Sequence, residues 1–265
     1  MSSGHHQAVQ EQFTRTAEAF AKFATRDTPE VLAERVEFAE LRLHEFLLDV
    51  ACGPGAFVLA AAPYVQFARG VDLTAEMLRQ ARGFQAERGI ANAAFDLGEA
   101  EKLPYAGGSF DLVSCQFAFH HMPRPEATLE EMCRVMKPEG RILLVDSVGP
   151  EDTAAGEPHN EIERLRDPSH TSTLSRPQFL EMFAARDLSV QKQRILDRPR
   201  SFNQWMLRAG HDRSSAAYQA VRRLMEDSIP GDRAAFGVTV DGEDLRIVHQ
   251  EGMFLLRRRG APGER

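Results

Sequence analysis

Leu47-Leu48-Asp49-Val50-Ala51-Cys52-Gly53-Pro54-Gly55-Ala56-Phe57 is the stretch on which the fold turns. An apolar run opening at residue 46 passes directly into two glycines, and a helix is expected to begin near Gly55. Glycines at such a junction let backbone approach a ligand closely, because missing β-carbons open space and allow angles that other residues avoid. In doubly wound sheets the carboxyl edge of the first strand is where nucleotides are held. A glycine pair alone would also mark an ordinary turn, so the residues beyond it must decide.

A second apolar run ends in Gly70-Val71-Asp72-Leu73, which puts a carboxylate 17 residues beyond Gly55. There it can accept hydrogen bonds from both hydroxyls of a ribose. A surface aspartate at a strand end is the plain alternative. Dinucleotides and single nucleosides both use this arrangement, but Val58 stands where the dinucleotide fingerprint wants glycine or alanine, which weakens a pyrophosphate site. Asp49 lies on the approach to the loop. An acid there repels a diphosphate and favours an amine or a sulfonium.

The same alternation continues downstream. Strands are expected at 46–51, 65–71, 93–97, 110–117 and 141–148, with spacers long enough for crossover helices and too long for hairpins, so successive strands should be parallel. This is the pattern of a doubly wound α/β sheet. Thr74 is placed to cap a helix carrying Met77, Leu78 and Ala81. Leu129, Met132, Val135 and Met136 form one helical stripe ending near Pro138 and Gly140, and such a stripe reads as core.

Two segments stand outside the alternation. Residues 1–45 read as helices, with Phe13, Phe20 and Phe23 roughly on one face. Residues 149–176, rich in Pro, Gly, acids and His, read as a long loop or short helix over the carboxyl edge of the sheet, the composition of a lid. A helix at 176–186, a strand at 188–196, helices at 202–208 and 215–227, and strand character at 245–248 and 252–256 follow, with Asp241-Gly242 favouring a tight turn before the last pair. The expected organisation is an arm (1–45), a cofactor-binding core (46–148) and a lid with sheet-completing, substrate-side elements (149–265).

Composition narrows the function. Apolar residues at 43% and charged residues at 27% are ordinary for a globular chain, which argues against disorder. Thirty-nine acids against 32 bases leave a net charge of -7, so the surface repels polyanions and no nucleic-acid partner is expected. The basic run at Arg257, Arg258 and Arg259 reads as a solvated chain end. Cys52, Cys115 and Cys133 are odd in number and widely spaced, so neither a disulfide framework nor a metal site is suggested and a reducing compartment fits. No apolar run approaches the roughly 18 residues a bilayer requires, and residues 1–10 lack a signal peptide's apolar core. A cytoplasmic monomer or homodimer without stable membrane insertion is expected.

The residues resemble class I S-adenosylmethionine-dependent methyltransferases, especially the branch similar to the ubiquinone/menaquinone biosynthesis C-methyltransferases. The resemblance covers about residues 45–148. It rests on Leu48 to Gly55, Gly70 to Leu73, Gly98-Glu99-Ala100-Glu101-Lys102-Leu103-Pro104, Ser109-Phe110-Asp111-Leu112-Val113 and Arg134-Val135-Met136-Lys137-Pro138-Glu139-Gly140. It implies a mostly parallel, seven-stranded Rossmann-like sheet and S-adenosylmethionine as cofactor, with S-adenosylhomocysteine as product. It also implies that Gly53 and Gly55 lie against the methionine portion, with Asp49 near its amino group and Ala51 among the cofactor-binding residues. Asp72 would hold the ribose, and Leu73 and Met77 would pack on adenine. Glu99, in a slot where the family often has Asp, would accept from the adenine amino group, and Ala100 would offer its N–H. Gln116 would approach the methionine portion, and Phe20, with Phe13, would close over the cofactor.

Methyl transfer from a sulfonium needs alignment and a dry cavity, and a base only if the acceptor must lose a proton. His120 and His121 follow the fourth strand, at the edge where acceptor meets donor. Either is a candidate base, with His121 preferred, while a structural or cofactor-packing role is the more common reading for each and substrate contact the next. Asp146, at the end of the fifth strand, and His170, in the lid, are further catalytic candidates; Asp167, Glu161 and Arg164 are weaker ones. The expected activity is methylation at C, O or N of a small molecule. A nicotinamide-dependent oxidoreductase is the alternative enzyme, disfavoured by Val58 and because Tyr105 and Tyr218 lack a lysine four residues on. A non-catalytic S-adenosylmethionine-binding module is the alternative from another class.

Overall fold

In the computed structural model the described backbone spans residues 2–23 and 29–260, and the described side chains are those of 4–14 and 29–260. Phe20 and Phe23 fall within the first helix but outside the described side chains.

Parallel strands β1 (Phe46–Val50), β2 (Phe67–Asp72), β3 (Ala93–Leu97), β4 (Phe110–Gln116) and β5 (Met136–Val148) form the core of one sheet. Strands β6 (Leu188–Ser201), β7 (Thr239–Asp241) and β8 (Asp244–Arg258) complete it through antiparallel pairing. The order is β3-β2-β1-β4-β5-β8-β6, with the short β7 pairing off β8 as an eighth strand. From β1 the chain first winds outward through β2 and β3, then returns to the other side through β4 and β5. The order therefore reverses between β1 and β4, and the crevice at the carboxyl ends of those strands is the place such a sheet offers a ligand.

Helices cover both faces, which is why Leu47, Leu48 and Val50 of β1 are all fully buried rather than alternating. On one face α3 (Ala56–Ala61) and α4 (Ala75–Glu87) pack with α2 (Pro29–Ala39) around Leu47, Val58, Leu78 and Phe95. On the other, α5 (Pro125–Val135) and α7 (Arg176–Ala184) pack Leu129, Met132 and Phe183 against Leu48, Val113 and Phe254. A third cluster joins α6 (Thr153–Arg166), α8 (Phe202–Arg208) and α9 (Ala216–Ser228) around Phe202, Trp205, Tyr218 and Phe236. Helix α1 (Ser2–Phe23) lies against α4 and α8. Among the described residues no helix is long and apolar enough to cross a membrane.

Four expectations change. Residues 149–176 contain the 14-residue helix α6 rather than a loop or short helix; Gly156 and Pro158, which lies inside the helix in its second turn, hide it in the sequence. The apolar runs at 245–248 and 252–256 are one continuous strand, β8, because Gln250, Glu251 and Gly252 are paired on both sides. Met136 opens β5 instead of closing α5. Thr74 occupies the N-cap of α4 but makes no side-chain cap bond; its N–H donates to Asp72 Oδ1.

β6 and β8 also run past the end of β5. Val148 and Asp197 both pair with Gln250, and the β6–β8 ladder continues to Ser201 opposite Arg246. This extension carries the third cluster and raises a wall beside the carboxyl edge.

Candidate functional site

The crevice between β1 and β4 opens into a cavity, and the glycine turn forms its floor. Ala51 and Gly53 both have left-handed backbone, at φ 55 and φ 52, and a β-carbon on Gly53 would meet no atom within 4 Å. The space above Gly53 is thus available to a ligand. Gly55, also left-handed at φ 79, serves a different purpose: a β-carbon there would come within 2.6 Å of the Phe95 ring, so this glycine lets α3 pack on β3. Gly55 does not line the cavity, which corrects its expected contact with the methionine portion.

Asp72 is the anchor of the turn. Its Oδ2 accepts from the Gly53 N–H at 2.8 Å and its Oδ1 from the Thr74 N–H at 2.8 Å. Each carboxylate oxygen retains acceptor capacity toward the cavity it lines. Asp49, buried beneath the turn, accepts from Ser114 Oγ at 2.6 Å. Burial raises its pKa from 3.8 to about 7; the Ser114 bond opposes that rise and Asp72 adds to it. Leu73, Met77, Glu99 and Ala100 line the same wall, Met77 buried and Glu99 exposed.

At the end of β4, Gln116 Oε1 accepts from Arg35 Nη1 at 3.3 Å, while Gln116 Nε2 is buried without a hydrogen-bond partner among the described residues. Arg35 is itself buried, 3.5 Å from Glu251 and stacked 4.9 Å from the centre of the Phe117 ring. Sequence reasoning missed Arg35, because nothing local in α2 shows that it will reach the end of β4.

The histidine pair sits on a short 3-10 turn, Phe119–His121, entered through left-handed Phe117 at φ 51. His120 Nδ1 lies 2.5 Å from Asp146 Oδ1, and Asp146 Oδ2 accepts from the Phe119 N–H. Burial alone would disfavour a charged His120, but the Asp146 carboxylate outweighs it and raises the pKa above 6.5. His121 Nδ1 faces the carbonyl and the hydroxyl of Ser169 at 3.2 and 3.1 Å, and that hydroxyl donates to Asp167. A Ser169 oxygen used as acceptor fixes the Nδ1–H tautomer of His121. Burial, then the charge on His120, push the His121 pKa down to about 4.

Both histidines line the cavity, whereas Asp146 lies behind His120 and acts on the cavity only through it. His170 is not brought to the cavity. It is buried, its Nε2 is 2.9 Å from Asn160 Oδ1, and burial pushes its pKa down to about 3. Of the weaker candidates, Asp167 lines the cavity while Glu161 and Arg164 do not.

The first helix closes the opening. His5, His6, Val9 and Phe13 line the cavity; His5 Nε2 donates to the His121 carbonyl at 2.7 Å, and the Phe13 ring meets His121 edge-on at 5.1 Å. Gln10 donates to the Leu73 carbonyl. The opposite wall contributes Arg166, Arg200, Trp205 and Arg208, none of which the sequence singled out. Among the described residues no cluster of three or more His, Cys, Asp or Glu side chains is arranged to hold a metal.

A methyltransferase-domain family matches residues 44–195. The chain is 37% identical over 198 residues to the uncharacterized methyltransferase YcgJ of Bacillus subtilis (strain 168), covering 75% of this chain and 78% of that protein. The crystal structure of YcgJ superposes with a TM-score of 0.80 at 33% identity, over 86% of this chain and 98% of YcgJ. A putative methyltransferase from Bacillus halodurans C-125 also gives a TM-score of 0.80, at 27% identity over 86% of this chain and 98% of that one. The ubiquinone/menaquinone biosynthesis C-methyltransferase of Azotobacter vinelandii is 32% identical over 125 residues, 46% of this chain and 49% of that enzyme. With sheet order, glycine turn and matched domain in agreement, the chain belongs to the class I S-adenosylmethionine-dependent methyltransferases.

Proposed function

We propose that the protein transfers a methyl group from S-adenosylmethionine to a small-molecule acceptor bound beside His120 and His121. The observation that carries this reading is one cavity lined both by the Asp49–Gly53–Asp72 wall and by the histidine pair. When bound, S-adenosylmethionine supplies a sulfonium-activated methyl group for in-line displacement.

The residues present fit such a cofactor. Asp72 accepts from the ribose hydroxyls, and the space over Gly53 admits the chain that joins ribose to methionine. Gln116 Nε2, a buried donor with no partner among the described residues, suits the methionine carboxylate, with the Arg35 guanidinium beside it. Asp49 faces the amino group, where a positive charge favours its carboxylate. Leu73 and Met77 pack on the adenine, Ala100 offers its N–H, and Glu99 accepts from the adenine amino group at the open rim.

Where the acceptor must lose a proton, His120 is the better base. Asp146 holds its Nδ1 and stabilises the imidazolium, which leaves Nε2 to take the proton. His121, with a pKa of about 4, is neutral near pH 7 but a weak base, and its role is to shape the acceptor pocket under Phe13. This reverses the preference drawn from sequence, because the distinction between the two rings lies in Asp146 and Ser169, distant in the chain.

Incubation with methyl-labelled S-adenosylmethionine and the low-molecular-weight fraction of a cell extract is expected to label a small molecule. Label recovered only in protein or nucleic acid, or in nothing, would sink the proposal. With that acceptor in hand, kcat/KM is expected to rise with pH to a plateau through an apparent pKa above 6.5. His120→Gln should remove this limb and lower the rate by about 100-fold or more. A variant with the wild-type pH profile would dismiss His120 as the base.

A further inference from the structure

The wall of the cavity built from the far edge of the sheet is cationic. Arg200 stands at the end of β6, on the part of the ladder that continues beyond β5, where it pairs with Ile247 of β8. Four strand spacings separate β6 from β1, roughly 19 Å at the usual interval, so Arg200 lies well away from the glycine turn while lining the same cavity. Arg166, the last residue of α6, and Arg208, the last residue of α8, line it from either side.

The three guanidiniums differ in what they already hold. Arg166 lies 3.6 Å from Glu163, donates to the Trp205 carbonyl and stacks 4.5 Å from the centre of the Trp205 ring. Arg200 makes no ion pair among the described residues, and its Nη1 is buried without a hydrogen-bond partner. The carboxylates near it are committed elsewhere: Glu163 to Arg166 and His249, Glu251 to Arg35 and Arg198. Burial, then Arg208 and Arg166, push the Arg200 pKa down to about 10, which leaves it fully charged at neutral pH. Arg200 is half-buried, but its enclosed Nη1 is a charged donor left unsatisfied beside other guanidiniums, which is costly unless an anion completes it. Asp167 is the acid on this rim, and it is engaged with Ser169 beneath His121.

We infer that the methyl acceptor is an anion, and that its carboxylate or phosphate group is held by Arg200, flanked by Arg166 and Arg208, at the end of the cavity opposite the glycine turn. This assignment rests on the methyltransferase reading of the same cavity and adds the acceptor's charge to it. Guanidiniums match both oxyanions through paired N–H donors. With the anion anchored there, Trp205, stacked with Arg166, backs the wall beside it and the remainder of the acceptor extends toward His120.

The test titrates benzoate and, separately, inorganic diphosphate into protein saturated with S-adenosylhomocysteine, at fixed ionic strength. At least one anion is expected to bind at millimolar concentration or tighter, and which one identifies the headgroup. Arg200→Met should weaken it by about 10- to 100-fold, the loss typical of a hydrogen bond to a charged group, with Arg200→Lys intermediate. The dissociation constant for S-adenosylhomocysteine should stay within about twofold in both variants. Arg208→Gln provides a second reading should Arg200→Met melt cooperatively only at reduced temperature. Binding of neither anion, equal binding by wild type and Arg200→Met, or a parallel loss of S-adenosylhomocysteine would overturn the assignment. If wild-type protein failed to bind S-adenosylhomocysteine at all, the underlying methyltransferase reading would fail first, before any anion was added.

Discussion

Asp49 and Asp72 are two buried carboxylates on one wall with different duties. Asp72 is tied by two backbone N–H groups and sets the shape of the turn, whereas Asp49 has one hydroxyl partner and a pKa near 7. Below that pH the free site therefore holds a proton on Asp49, and a bound ammonium group expels it. Binding of S-adenosylhomocysteine at pH 6 is expected to release up to one proton, with affinity rising between pH 6 and 8. Calorimetry in two buffers of different ionisation enthalpy reads this directly. Heats that do not depend on the buffer, or equal release from Asp49→Asn, would contradict the assignment. These acids were legible in the sequence because their roles depend on short spacing: strand, turn, next strand. Arg35, Arg166, Arg200 and Arg208 were not, because a lone arginine in a helix or strand looks the same whether it meets solvent or a distant cavity.

The strands around the switch point were likewise legible, since burial on both faces demands continuous apolar runs. β8 was not, for a physical reason. Glu251 sits in its middle, buried, and is tolerable only because Arg35 and Arg198 reach it from other elements. A second buried pair ties the start of β1 to β5: Arg141 makes two hydrogen bonds to Glu45 and one to the Glu40 carbonyl beyond α2. Removing one partner of such a pair leaves an uncompensated charge, so Arg141→Met is expected to lower unfolding free energy by about 3–5 kcal/mol. Adding Glu45→Gln should restore much of it. Denaturant melts of the single and double variants check this, and strictly additive losses would show that the pair is not coupled.

Across the molecule, several buried histidines are held neutral. Burial pushes His170 and His249 down to about 3 and His121 to about 4, from an ordinary 6.5. The unfolded chain takes up protons at these positions as pH falls through 6.5, and the folded chain does so only near 3 to 4, so stability is present above 6.5 and lost in that interval. Asp49, with its raised pKa, works the other way, contributing stability below 3.8 that is lost as pH rises through 7. Asp72, also raised by burial, adds to Asp49, but three histidines outweigh two carboxylates, and denaturant midpoints should fall from pH 6.5 to 4.5. A midpoint that rises over this range would mean that these rings are not neutral in the fold. The arm was legible as helices and the lid only as a segment, and what either covers was not. Their helices are defined by what they cover, with α1 reaching His121 and Leu73, and the end of α6 placing Arg166 beside Trp205.

One titration bears most directly on the cavity that all of this depends on. Purified protein is titrated with S-adenosylhomocysteine and, in parallel, with NAD+, using wild type, Asp72→Asn and Asp72→Ala. S-adenosylhomocysteine should bind and NAD+ should not, with affinity for S-adenosylhomocysteine falling by about tenfold or more in both variants. Preferential binding of NAD+, or variants that bind S-adenosylhomocysteine as tightly as wild type, would show that the glycine turn and Asp72 do not form the methyl donor's site.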